Sequence, residues 1–135
     1  MIILAWKDAY RMGVDVLDEQ HRQLFALGER LERALSDGSE NQAVADALRQ
    51  LVAYTQNHFR EEEELMAKVD YRELRQHCQM HRQFVLHLTG YLKRLRAGKM
   101  ITGSELVQFI QHWLVGHILG EDMKAAHAVK KLQRS

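Results

Sequence analysis

An all-α fold, an up-down antiparallel four-helix bundle preceded by an N-terminal arm, is what this sequence predicts, on two observations. Apolar residues recur at three- and four-residue steps in four successive segments, the periodicity of amphipathic helices. Short turn-forming stretches separate these segments, and helices joined by short connections pack as antiparallel neighbours. With 135 residues the chain reads as a single domain, 1–135, long enough to bury one core.

Residues 1–15 carry Trp6, Tyr10 and Gly13 without helical periodicity, and read as an arm that packs its two aromatics against the domain. From about 16 to 36, Leu17, His21, Leu24, Phe25, Leu31 and Leu35 share one helical face, and Ser36-Asp37-Gly38-Ser39 ends the helix. A second helix is expected over about 41–67, with Leu48, Leu51, Val52, His58, Glu62 and Leu65 on its inner face. A third, over about 71–97, turns Leu74, His77, Cys78, His81, Phe84, Val85, Leu88 and Leu92 inward and stops at Gly98. Ser104 reads as the N-cap of a fourth, over about 104–130, whose inner face holds Leu106, Ile110, Trp113, Leu114 and His117.

Composition narrows the function classes. Nineteen basic residues against 18 acidic ones give a net charge of +1, interspersed apart from the run Glu61 to Glu64, so no phosphate-binding or nucleic-acid-binding surface is expected. The lone Cys78 leaves no internal disulfide, and the opening residues lack the basic start of a secretory signal. No apolar run approaches the roughly 20 residues of a membrane span. A soluble, cytoplasmic protein is therefore expected. Two features stand out: there is no proline, and there are eight histidines.

The stretch His58-Phe59-Arg60-Glu61-Glu62 puts an imidazole and a carboxylate four residues apart, on one helical face that is otherwise largely apolar. An ionised carboxylate is costly to bury unless something cationic pairs with it. No inward lysine or arginine is available, whereas histidines recur on the inner faces of the other helices, so a bound metal is the natural partner. In an up-down bundle, ligands of one site must lie at one level along the axis. His21 lies 15 residues before the first turn and His58 17 after it; His81 lies 16 before the third turn and His117 14 after it. These levels agree to within one helical turn, about 5 Å. His77 stands four residues before His81 and joins the same face. Five imidazoles with carboxylates exceed what one four-coordinate zinc accepts, so two ions are expected, and imidazole suits iron, copper and zinc alike. His87, His112 and His127 fall off the face or the level and read as surface residues, as do Glu61 and Glu64. Cys78 reads as a small buried apolar residue.

These residues resemble a known family. Trp6, Tyr10 and Gly13 of the arm, Asp18-Glu19-Gln20-His21, His58-Phe59 with Glu62-Glu63 and Leu65-Met66, His77 with His81 and Phe84, and Trp113 with His117-Ile118 and Asp122 resemble hemerythrin, most closely the single-domain bacterial hemerythrins. The resemblance covers nearly the whole chain. It implies a di-iron centre (Fe2+/Fe3+) with an oxo or hydroxo bridge, His77, His81 and His117 on one iron, His21 and His58 on the other, and Glu62 and Asp122 bridging them. It also implies reversible dioxygen binding for storage, delivery or sensing, with no catalytic residues. Nitric oxide is left open as a second ligand, and a protein partner is unspecified. Phe59, Phe84, Leu114 and Ile118 would form an apolar wall around the oxygen position, keeping out water and protons. Family members commonly have asparagine where Glu29 stands and tyrosine where Ala125 stands.

Spacing and resemblance disagree on one carboxylate. Glu121 follows His117 by four residues, the same-face step, whereas Asp122 follows by five, about 140° round a regular helix. A single-turn π-bulge would bring the five-residue step onto one face, and Gly116 and Gly120 would ease it. Asp122 is taken as the bridge and Glu121 as a solvated neighbour. The rival readings are a ferritin-like di-iron oxidase or iron-handling protein, and a metal-free interaction bundle. The ferritin class uses Glu-x-x-His motifs, and none of the eight histidines has a glutamate three residues before it.

Overall fold

Four helical rods follow one another along the chain: α1 (Asp15–Ser36), α2 (Asn41–Lys68), α3 (Leu74–Arg96), and a fourth rod made of α4 (Gly103–Gly116), a π-helical turn (His117–Asp122) and α5 (Met123–Gln133). The computed structural model describes residues 2–99 and 101–133. No helix in it is long and apolar enough to cross a membrane. The helix α1 packs on α2 and α4, and α2 packs on α1, α3 and α5. Phe84 of α3 stacks on Trp113 of α4 at 4.0 Å between ring centroids, which closes the bundle.

The three turns share one device. At Gly38, Asp70 and Gly98 the backbone enters the left-handed region, with φ of 67°, 52° and 77°. The next amide then reaches back to the final helical turn: Ser39 N to Ala34 O, Tyr71 N to Met66 O and Lys99 N to Arg94 O, at 3.1, 3.0 and 2.9 Å. Carbonyls left unpaired at each helix end are satisfied in this way, and glycine or a short acidic side chain tolerates the conformation. Gly98 is therefore the stop that its position suggested. The starts of α1 and α2 fall where expected, and those of the third and fourth rods differ in detail. Tyr71 to Glu73 form the turn before α3, and Ser104 lies inside α4, with Thr102 at the N-cap and making no side-chain capping bond.

The arm docks through buried carboxylates. Glu32 on α1 accepts hydrogen bonds from the amides of Ile3, at 3.0 and 2.8 Å, and Leu4, at 2.8 Å. Asp18 accepts those of Met12 and Gly13 at 2.7 and 3.1 Å. Between these clamps, Tyr10 stacks on Phe25 with Trp6 edge-on to both. The arm thus packs its two aromatics on the domain as the sequence suggested.

The apolar core runs the length of the bundle through Leu17, Leu24, Leu31, Leu48, Leu51, Phe84, Leu88, Leu106 and Ile110. Leu35, Leu65, Leu74, Val85 and Trp113 are only half-buried, and so is Cys78. The expectation of a buried Cys78 is corrected: its position one step round the helix from His77 puts it at the α2–α3 groove instead of in the core. His87, His112 and His127 are exposed.

Candidate metal centre

Seven side chains from all four rods converge inside the apolar core: His21 from α1, His58 and Glu62 from α2, His77 and His81 from α3, and His117 and Asp122 from the π turn. None is more than 6 % exposed. On the regular helices, the four-residue steps from His58 to Glu62 and from His77 to His81 stack each pair on one face. On the fourth rod, the π turn brings His117 and Asp122 to the same side despite their five-residue separation. Glu121 stays partly exposed.

The polar atoms gather at two foci. At the first, the Nε2 atoms of His77 and His81 stand 3.1 and 3.0 Å from His117 Nε2. Glu62 Oε1 lies 2.7 Å from His77 Nε2 and 3.3 Å from His81 Nε2. Asp122 Oδ1 lies 2.9 Å from His77 Nε2 and 3.0 Å from His117 Nε2. At the second focus, Glu62 Oε2 lies 3.5 Å from His21 Nε2 and 3.3 Å from His58 Nε2, and Asp122 Oδ2 lies 3.2 Å from His21 Nε2. Each carboxylate therefore turns one oxygen to each focus.

A cation at each focus fits this arrangement better than hydrogen bonding does. Three imidazole nitrogens meeting at about 3 Å cannot satisfy one another, because a proton shared by one pair leaves the third nitrogen facing a lone pair or another proton. Ligand atoms set at right angles on an ion with bonds of about 2.1 Å stand about 3 Å apart. Six buried atoms of these residues, His21 Nε2, His58 Nε2, Glu62 Oε2 and Asp122 Oδ1 at the foci and His21 Nδ1 and His77 Nδ1 behind them, have no hydrogen-bond partner. Unpaired buried polar atoms are costly and call for an explanation.

Proton balance in the metal-free cluster follows the same geometry. Burial disfavours a charged His21, but the carboxylates of Asp122 and Glu62 outweigh it and push its pKa up to about 9. His77, likewise opposed by burial and favoured by Asp122 and Glu62, is also pushed up to about 9. Burial wins at His58 and holds its pKa down. Glu62 and Asp122 stay well below the usual carboxylate range, because hydrogen bonds to the histidines overcome their desolvation. His81, opposed by burial but favoured by Glu62 and Glu63, is also pushed up, so histidine protonation stands in for the positive charge that the buried carboxylates demand.

The outer edges of two rings are fixed by side chains to which sequence reasoning gave no role. Gln20 Oε1 accepts a 2.6 Å hydrogen bond from His58 Nδ1, and Gln20 Nε2 donates to Glu61 Oε2 at 2.6 Å. Glu63 Oε2 accepts from His81 Nδ1 at 2.7 Å. These bonds place the ring proton on Nδ1 and leave the Nε2 lone pair facing the focus, which makes imidazole a metal ligand. The level count that aligns the histidines also aligns Gln20, which lies 16 residues before the first turn, so a signal for it existed. Phe59 stacks on the His81 ring at 3.7 Å, and Trp113 on the His117 ring at 4.3 Å. Phe59, Phe84, Leu114 and Ile118 are all buried.

The family model described as "Hemerythrin HHE cation binding domain" matches residues 12–129. The chain belongs to the hemerythrin family. Among its relatives, the bacteriohemerythrin of Stenotrophomonas maltophilia is 35 % identical over 130 residues, 96 % of this chain and 84 % of that protein. The hemerythrin-like protein of Naegleria gruberi is 37 % identical over 119 residues, 88 % of this chain and 87 % of that protein. The myohemerythrin of Riftia pachyptila is 34 % identical over 119 residues, 88 % of each chain. The fold matches the crystal structure of wild-type hemerythrin with a TM-score of 0.85 at 25 % identity, covering 93 % of this chain and 96 % of that one. Hemerythrins bind dioxygen at a non-heme di-iron centre, and the histidine and carboxylate cluster of this chain fits such a centre. The two departures from the hemerythrin pattern lie apart from the foci or fit quietly: Glu29 pairs with Arg33 at 2.8 Å on the surface of α1, and Ala125 is buried.

Proposed function

We propose that this hemerythrin holds dioxygen reversibly, as an oxygen carrier used for storage, delivery or sensing, and does not turn it over. His77, His81 and His117 would hold one iron and His21 and His58 the other, with Glu62 and Asp122 shared between them. Iron bound there supplies the electrons that dioxygen takes up on binding. The observation that carries this reading is the split of each carboxylate, one oxygen toward three imidazoles and the other toward the smaller histidine group. Three imidazoles on one side and two on the other leave the second focus with fewer protein ligands, and so with room for a small exogenous molecule.

The chain's own residues supply the rest. Gln20 and Glu63 hold two of the rings in the orientation that aims Nε2 inward. Phe59, Phe84, Leu114 and Ile118 form an apolar wall that excludes water and withholds the protons that would drive reduced oxygen out as peroxide. A histidine-rich donor set stabilises high-valent iron less than a carboxylate-rich one does, which favours holding oxygen over oxidising a substrate. Nitric oxide, a diatomic of similar size, is a second ligand for the same position, and the cytoplasm is the proposed location. Iron and oxygen stoichiometry test the reading: two irons per chain and one dioxygen per iron pair are expected, and a single iron per chain would count against it.

A further inference from the structure

The helix α3 carries Arg75, Arg82, Lys93, Arg94 and Arg96 and no carboxylate, which leaves 14 of the chain's 19 basic residues to face all 18 acidic ones. The chain is therefore nearly neutral as a whole but strongly asymmetric. Among the described residues, none of those five cations is in an ion pair with a carboxylate. A groove of about 260 Å³ opens beside this helix, between α2 and α3, and is lined in part by Arg60, Glu63, Cys78, His81, Arg82 and Leu86. Leu86 is 65 % exposed and also borders an adjoining depression with His87, Tyr91 and Arg94. The groove reaches the metal centre through one residue: His81 lines it from below, and the ring's outer nitrogen bonds Glu63, whose side chain is 30 % exposed.

We propose that this groove docks an acidic one-electron donor protein, which returns the oxidised iron centre to its ferrous state. The proposal rests on the oxygen-binding reading above. A centre that lends two electrons to dioxygen loses both whenever the oxygen leaves as peroxide, and the ferric pair left behind cannot lend again. Each encounter passes one electron from the donor to one ferric ion; two encounters restore the pair, with no bond made or broken in the protein. The seven inner residues are too buried for a protein donor to touch, so in this groove the electron enters through His81, the ligand ring that lines it. Charge selects the occupant. A cationic rim steers an acidic partner, and one exposed leucine over a small groove suits the limited interface of a transient redox encounter. A second copy of the chain would set two cationic faces against each other.

The test uses the full-length, iron-loaded, oxidised protein and a reduced acidic [2Fe–2S] ferredoxin as probe. Ferredoxin affinity and the rate of iron reduction are read at low and physiological salt for the wild type, for R60Q/R82Q, for L86S, and for the charge-matched control R11Q/K131Q. The wild type is expected to bind with an affinity that falls with salt. R60Q/R82Q should lose about tenfold in both affinity and rate, L86S should lose affinity, and the control should match the wild type. An uncharged small hydroquinone should reduce all four proteins equally. Equal ferredoxin affinity in all four, equal loss in both double variants, no ferredoxin binding, or self-association through the groove would each overturn the proposal. The colour response to oxygen is recorded on the same samples. A wild type that loads iron without that response overturns the oxygen-binding reading, while the affinities still decide the docking.

Discussion

His117 and Asp122 stand five residues apart in the chain, yet His117 Nε2 lies 3.0 Å from Asp122 Oδ1, because the turn between them is π-helical. On a regular helix that step rotates about 140°, and Glu121 would face the cluster instead. Replacing Asp122 by alanine should therefore empty the centre of iron, whereas Glu121→Ala should leave loading and the oxygen spectrum near wild type. Metal analysis of the two purified variants decides the matter; an empty Glu121 variant beside a loaded Asp122 variant would reverse the assignment.

The histidines sort in the same way. His77→Ala and His81→Ala should lower iron content far more than His112→Ala, since the first two are buried at the first focus and His112 is exposed. Removing the metal should also lower the melting temperature, because the centre ties four rods together and binding to the native state alone adds to folding stability. Equal iron in all three variants would refute the ligand assignment.

The partners behind the rings give a graded effect. Gln20→Ala or Glu63→Ala removes an orienting hydrogen bond while keeping every proposed ligand, and should weaken iron affinity by about 10- to 100-fold. Competition with a chelator measures it. Unchanged retention in both variants would mean that packing, with Phe59 stacked on His81, orients the rings unaided.

Much of this architecture is legible in the sequence because it is periodic. The four rods follow from apolar spacing, the stop at Gly98 from glycine's access to the left-handed region, and the common level of His21, His58, His81 and His117 from residue counts alone. What spacing cannot deliver is departure from the regular helix. The π turn lies outside the arithmetic of 3.6 residues per turn, so counting favours Glu121, and only the resemblance to hemerythrin points to Asp122. Nor does spacing show contacts between helices: Glu63 in an acidic run gives no sign that it meets His81 across 18 residues. Asp70, not glycine, fills one left-handed turn position, and the turn before α3 is correspondingly hard to foresee.

Away from the centre, Glu32 holds the arm by accepting the amides of Ile3 and Leu4. Glu32→Ala leaves these donors without a partner and should cost about 2 kcal/mol or more. Urea unfolding of the iron-loaded protein reads that loss, while the oxygen spectrum should not change. Wild-type stability in the variant would mean that Trp6, Tyr10 and Leu4 dock the arm by apolar contact alone.

The most direct measurement of the central claim is the visible spectrum of the anaerobically reduced, iron-loaded protein, taken before air is admitted, after it, and again once the oxygen has been withdrawn. Reversible dioxygen binding predicts a colourless reduced form that gains visible absorption in air and returns to colourless when oxygen is removed, through repeated cycles. Absorption that never appears, or that persists after the oxygen is gone, would contradict it.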